Sequence, residues 1–245
     1  VPHHSNPLPS TMKLFFAALL AAVISAAYAQ DPAPGWMCYA TAKAPAGTKL
    51  THVSASWNVP ADPPQGFAFY SPWFGIETSD NMNLIQPVNP WTGSGWQIYN
   101  EYFQWSPMNN ENSAAINVNG GDLVYGTVDY ESKKDAYHMY HTADGQSTNA
   151  TIPVQKQDGK AKTYDIIYFV FEKSQWPCNE YPPNEKVTFF DIQAEADGKA
   201  FVPEWTTSWV DNHCNFRAHI VNSSTIEMTW DTSMESGEAP ALRGA

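Results

Sequence analysis

The sequence predicts an all-β chain folded as a two-sheet antiparallel β-sandwich. Three observations lead there. No window of about 11 residues carries a 3.6-residue apolar period with capping residues at its ends. About a dozen short runs rich in β-branched and aromatic residues follow one another instead. Turn-forming residues stand between them, as in Asn119-Gly120-Gly121-Asp122, Asp144-Gly145, Asp158-Gly159 and Asp197-Gly198. Short strands at this spacing close into two packed sheets.

In chain order the expected strands are KLTHVSASWNV (49–59), FAFYSPWFGIE (67–77), WQIYNEYFQW (96–105), AAINVN (114–119), DLVYGTVDY (122–130) and AYHMYHT (136–142). NATIPVQ (149–155), DIIYFVFE (165–172), KVTFFDIQAEA (186–196), RAHIV (217–221) and TIEMTW (225–230) follow. Alternation assigns faces in the clearest of them. Ile226, Met228 and Trp230 point one way, with Thr225, Glu227 and Thr229 opposite. Phe169 and Phe171 share one face, and Tyr168, Val170 and Glu172 the other. DLVYGTVDY alternates less cleanly and is expected to be covered on both faces.

The ends read differently. Met12-Lys13 opens MKLFFAALLAAVISAAYAQ, in which one lysine precedes an apolar stretch and small residues end at Ala27-Tyr28-Ala29. That is the charged, hydrophobic and A-x-A pattern of a secretory signal, so residues 1–29 are expected to be leader and signal peptide. Residues 30–231 then form a single β-sandwich domain, and 232–245 a flexible tail. No second run of membrane-spanning length follows, so the expected product is secreted and extracellular.

The net charge of −12 argues against nucleic acid, whose phosphates an acidic surface repels. Of three cysteines, Cys178 and Cys214 both lie in loop-like sequence and are the expected disulfide in an oxidising compartment, which leaves Cys38 odd. Asn149 and Asn222 head glycosylation sequons. There is no G-x-S-x-G, H-E-x-x-H, P-loop or C-x-x-C motif. His138 and His141 lie three apart, which on a strand puts them on opposite faces and spoils a metal pair. They read as surface or cross-strand histidines, and neither metal nor cofactor is expected. The ten tryptophans admit two readings: large core fillers, or the lining of a groove for an extended polymer.

Several stretches carry a further signal in their order: ASWNVP (55–60), SPWFGIE (71–77), NLIQ (83–86), YFQWSP (102–107), INVNGGDLV (116–124), FVFE (169–172) and KVTFFD (186–191). This series, from about Trp36 to Asp231, resembles the eqolisins, the glutamic endopeptidases. The resemblance implies a concanavalin-like jelly roll of two curved sheets, with a catalytic glutamine and glutamate projecting from one concave sheet. By position these are Gln86 and Glu172, with Trp73, Glu77, Tyr102 and Gln104 lining or buttressing the cleft. Such a dyad lets the carboxylate deprotonate a water while the amide holds the oxyanion, with no metal and no covalent intermediate. The implied function is a secreted, acid-acting, monomeric endopeptidase on polypeptide substrates, with no nucleic-acid or membrane partner. The chain departs from the pattern at Pro87-Val88, where the family has Thr-Gly, and at Tyr102-x-Gln104, where it has Trp-x-Glu. It departs again at Tyr168, where an acid four residues before the glutamate is common. Two alternatives stand beside this reading: a non-catalytic sandwich that binds glycan or peptide, and an extracellular structural protein. Gln86 would then satisfy a turn backbone, and Glu172 would be an edge-strand charge.

Overall fold

The computed structural model describes residues 32–33, 35–64, 69–173, 177–210 and 212–234. The expected signal segment 1–29 lies outside the described residues, as does the tail beyond 234. The strands are β1 (Trp36–Lys43), β2 (Leu50–Asn58), β3 (Tyr70–Thr78), β4 (Asn83–Val88), β5 (Trp96–Gln104) and β6 (Asn109–Asn112). Next come β7 (Ile116–Val118), β8 (Leu123–Glu131), β9 (Ala136–Ala143), β10 (Gln146–Pro153), β11 (Lys156–Gln157) and β12 (Lys160–Ala161). The last are β13 (Tyr164–Lys173), β14 (Lys186–Ala196), β15 (Lys199–Ala200), β16 (Thr206–Trp209), β17 (Arg217–Asn222) and β18 (Thr225–Thr229).

Two eight-stranded antiparallel sheets face each other. One runs β16-β1-β13-β3-β4-β5-β6, with β7 also on β5; the other runs β10-β9-β8-β2-β14-β18-β17, with β15 on β14. The all-β sandwich read from the sequence is the architecture observed. Asp144-Gly145, Asp158-Gly159 and Asp197-Gly198 each turn a hairpin with positive φ at both residues, the backbone that Asp-Gly tolerates best.

The main core lies between the sheets and is built from the inward residues of both, among them Trp57, Phe74, Ile85, Phe169, Phe171, Phe189 and Met228. The tryptophans divide between two buried clusters. Trp57, Trp91, Trp96, Trp205 and Trp230 belong to this core. Trp36 and Trp73 belong to a second cluster with Leu84, Val88, Ile166, Tyr168 and Val170, against which Tyr39, Tyr99, Phe103 and Trp105 pack. These residues alternate with the core-facing ones along β1, β13, β3, β4 and β5, so the second cluster covers the outer face of the first sheet.

Some elements differ from the sequence reading. β1, β4, β6 and β16, and the two-residue strands β11, β12 and β15, are strands the pattern does not announce. In β4 the obstacle is Pro87, which has no N–H for a ladder and is usually excluded from central strands. The β3–β4 ladder is correspondingly interrupted: Trp73 pairs Val88 and Ile76 pairs Ile85, with no paired residues between. β8 is not covered on both faces, since Leu123 and Tyr125 are exposed while Val124, Gly126 and Val128 are buried. His138 is half-buried and shares a hydrogen bond with Thr151 Oγ1. His141 is not a surface residue: it is wholly buried, packs on Trp57 and donates from Nδ1 to the Tyr99 carbonyl at 3.2 Å. Cys178 and Cys214 are joined as a disulfide between two short 3-10 turns, and Cys38 is a buried free thiol. Asn149 and Asn222 are exposed. Thr232 is tied to Glu185 by its backbone N–H and its hydroxyl.

Candidate active site

The outer face of the first sheet is organised as rows that cross the strands. Thr41 pairs Tyr168 across β1 and β13, and Tyr168 pairs Gly75 across β13 and β3. Gly75 lies against Gln86 of β4, which pairs Glu101 of β5. Glu101 in turn pairs Asn112 of β6. One row therefore reads Thr41, Tyr168, Gly75, Gln86, Glu101, Asn112. The next row holds Tyr39, Val170, Trp73, Val88 and Tyr99. The row after that holds Glu172, paired with Ser71 and Trp36.

Gln86 is 4 % exposed. Its close seat on β3 depends on Gly75: a Cβ there would lie 2.6 Å from the Ile85 carbonyl oxygen and 2.9 Å from Gln86 Cβ. The Gln86 amide nitrogen donates to Glu101 Oε2 at 2.6 Å. Its Oε1 is buried without a hydrogen-bond partner among the described residues. An orphan buried acceptor costs about 1–3 kcal/mol, a deficit that a donor on a bound molecule erases.

Glu101 is half-buried, and its other oxygen accepts from the Asn110 amide. Its carboxyl is held above the ordinary range because burial, which disfavours the charge, outweighs the two amide bonds that favour it. Tyr99 stands next along the same face of β5. Its phenol is pushed up by burial first and then by the negative charges of Glu101 and Glu172, so both carboxylates act on it.

Glu172 shares the face with Gln86 but not the row. It accepts from Trp73 Nε1 at 3.0 Å, and Trp73 packs edge-on against Trp36. It sits two strands across and four residues along from the Gln86 row. At about 3.3 Å per residue and 4.8 Å per strand, the two Cα atoms are roughly 16 Å apart. A single water held by both would need each side chain within about 3 Å of it. The structure thus places Gln86 and Glu172 on one wall without bringing them together, and it brings Gln86 together with Glu101.

The family model described as Peptidase A4 family matches residues 36–230, most of the chain and all of both sheets. The chain belongs to the Peptidase A4 family. It is thereby one of the eqolisins, the glutamic endopeptidases. Among solved structures, it resembles scytalido-glutamic peptidase with a transition state analog inhibitor at a TM-score of 0.58 and 17% identity, over 80% of this chain and 98% of that one. It also resembles SCP-B, an eqolisin in complex with the tripeptide Ala-Ile-His, at a TM-score of 0.53 and 16% identity, again over 80% of this chain and 98% of that one. At such identities these two likenesses are ones of fold. No curated protein matches the chain significantly.

In this A4 family chain the remaining residues that the resemblance pointed to divide between the two faces. Trp73 and Glu77 lie on the outer face, Glu77 fully buried and accepting from Asn81 Nδ2 at 2.8 Å. Tyr102 and Gln104 do not lie on that face. The two-residue period of β5 turns Glu101 and Phe103 outward and Tyr102 into the main core. There the Tyr102 hydroxyl donates to Gln104 Oε1, which also accepts from Asn83 Nδ2 at 3.0 Å. Motif matching passed over Glu101 and Asn110, which hydrogen bonds link to Gln86, and Tyr99, which stands beside Glu101 on the same face. A cavity of about 730 Å³ opens at the β1 end of the Gln86 row, lined in part by Thr41, Ile166, Tyr168, Phe201, Val202 and Glu204.

Proposed function

We propose that this A4 peptidase hydrolyses internal peptide bonds of polypeptides in mildly acid solution, on the outer groove of the first sheet, using the Gln86 amide and a glutamate of the same wall. One observation carries the reading: a buried glutamine whose amide nitrogen is fixed by a carboxylate at 2.6 Å while its carbonyl oxygen lacks a partner among the described residues. A primary amide has two N–H donors, so one can hold the carboxylate and the other an oxyanion. The carboxylate takes a proton from water, whose oxygen attacks the peptide carbonyl; the proton then passes to the leaving nitrogen.

The Gln86 row runs across the strands from Glu101 to the cavity beside Tyr168 and Phe201, which supports an extended substrate lying along it with one apolar side chain in the cavity. The amino-terminal run around residues 12–29 supports export, in keeping with the disulfide and the exposed Asn149 and Asn222.

The test is digestion of a denatured protein across pH 3 to 7, with pepstatin present. Fragments that form despite pepstatin support the reading. An undegraded substrate at every pH, together with measurable binding of the same peptides, would establish a non-catalytic peptide binder instead.

Gly75 provides a structural check. Gly75→Ala pushes a methyl into the Ile85 carbonyl and Gln86 Cβ, so the amide must shift. The expected result is a fall in kcat of tenfold or more, with KM changed less. Steady-state kinetics on a peptide substrate measure it, and unaltered kcat would mean that Gln86 tolerates displacement.

A further inference from the structure

We propose that Glu101, on the strand next to Gln86, is the general base and acid of this peptidase, in place of Glu172. This rests on the peptidase reading above and names the acid of the same site.

Three features of the chain favour Glu101. It is the acidic member of the row that contains Gln86, and its carboxylate already touches the Gln86 amide, whereas Glu172 lies two rows away. Its hydrogen bonds use one lone-pair direction on each oxygen, to Gln86 Nε2 and Asn110 Nδ2, out of about four that a carboxylate offers. Capacity to accept a water proton therefore remains. Among the described residues it has no cationic partner. An ion pair would lower its basicity; two neutral amides orient it and leave it basic.

The step balances without any added group. Glu101, ionised, removes a proton from a solvent water held beside the Gln86 amide. The water oxygen forms a bond to the substrate carbonyl carbon, and the C=O π electrons move to oxygen, where the free Gln86 N–H stabilises the charge. Glu101, now protonated, delivers that proton to the amide nitrogen. The C–N bond breaks, the oxyanion electrons re-form C=O, and a carboxylic acid and an amine leave. Glu101 is ionised again.

Glu172 then has a different task. Fixed by the Trp73 indole at 3.0 Å and bordered by Tyr99, it presents charge to the substrate further along the groove.

The experiment compares Glu101→Gln, Glu101→Asp, Asn110→Ala and Glu172→Gln in the full chain, with thermal unfolding as a check on folding. Glu101→Gln is expected to lower kcat about 10²- to 10⁴-fold, the range for loss of a general base. Glu172→Gln is expected to raise KM and to lower kcat less than tenfold. Asn110→Ala removes a bond to the charged carboxylate, so the acid limb of kcat/KM should move to higher pH, a shift that mere loosening of the fold does not produce. Glu101→Asp keeps the carboxylate and should retain the acid limb at reduced kcat, which keeps the test open if Glu101→Gln fails to fold. Glu101→Gln within tenfold of wild type, with Glu172→Gln inactive, would overturn the proposal while leaving the peptidase reading intact. A wild-type chain that cleaves nothing would remove both.

Discussion

Gln86→Ala is expected to lower kcat/KM by about 10²- to 10³-fold, the loss found when one preorganised oxyanion donor is removed. The effect has two sources. On the proposed mechanism the side chain supplies the N–H that meets the developing negative charge. It also supplies the 2.6 Å bond that holds Glu101 and favours its charged form. Losing that bond raises the proton affinity of a carboxyl already held above its ordinary range by burial, so the acid limb of activity should move upward as the rate falls. Gln86→Met separates chemistry from packing, because it fills the seat against Gly75 without polar atoms. It should be nearly as slow as Gln86→Ala and closer to wild type in thermal stability. Michaelis–Menten kinetics from pH 3 to 7 on both variants measure this. A Met variant with wild-type kcat would show that the amide takes no part in the reaction.

The second large effect concerns stability in acid. His141 of β9 is wholly buried, and burial holds its pKa down at about 3, with the hydrogen bond to Tyr99 only partly offsetting that cost. Its ordinary value is 6.5. Between pH 6.5 and about 3 the unfolded chain binds a proton there and the folded chain does not. Stability from this residue is therefore complete above the ordinary value and lost as pH falls through that window, by several kcal/mol at about 1.4 kcal/mol per pKa unit. Asp80 and Asp129 act in the same direction. For each, burial opposes ionisation, but hydrogen bonds win and depress the pKa: from Thr78 and Lys162 to Asp80, and from His52 and Thr127 to Asp129. Their stabilisation is present above the ordinary carboxylate range and lost as pH falls through the depressed values. His52 acts oppositely. Its bond to Asp129 raises its pKa, so its contribution is present below its ordinary value and lost as pH rises through the raised one.

His141→Phe keeps an aromatic ring against Trp57 and removes the titration. At pH 7 the variant should be about 1 kcal/mol less stable, from the lost bond to the Tyr99 carbonyl. Its decline toward pH 4 should be much shallower, so the two stability curves cross. Urea unfolding at pH 7, 5.5 and 4 measures this, and parallel curves would assign the acid sensitivity to other groups. The consequence reaches the site, because the Tyr99 carbonyl belongs to the strand that carries Glu101. On the proposed mechanism both conditions limit activity from the acid side: Glu101 must be ionised, and β9 must stay folded against β5.

How much of this was legible in the sequence depends on which physical rule each residue obeys. β13, β14 and β18 announce themselves, since Phe169 and Phe171, or Ile226 and Met228, alternate with residues of the other face. β4 is hidden by Pro87, a residue that strands normally exclude. Gln86 stands out in the sequence through an ordered series of weak motifs, and the structure buries it on the outer face of the first sheet. Glu101 does not stand out in the sequence, because the chain holds many acids and nothing local marks the one that register sets against Gln86. Motif matching pointed instead to Tyr102 and Gln104. Along a strand a displacement of one residue reverses the face, and that reversal separates Glu101 from Tyr102. Glu172 was assigned to the correct face by alternation. Its distance from Gln86 depends on the stagger of β13 against β3 and β4, which only the pairing of strands defines. His138 and His141 read as surface or cross-strand histidines because three residues along a strand put them on opposite faces, and the sequence does not say which of the two faces inward.

The most direct measurement is a double-variant comparison. Gln86→Ala, Glu101→Gln and the combined variant are assayed on one peptide under one set of conditions. If the amide and the carboxylate work on the same water, each single loss already disables the unit, and the combined variant should be no more than about tenfold slower than the slower single variant. If the two losses multiply to their full product, the residues act independently, and a shared water between β4 and β5 is contradicted.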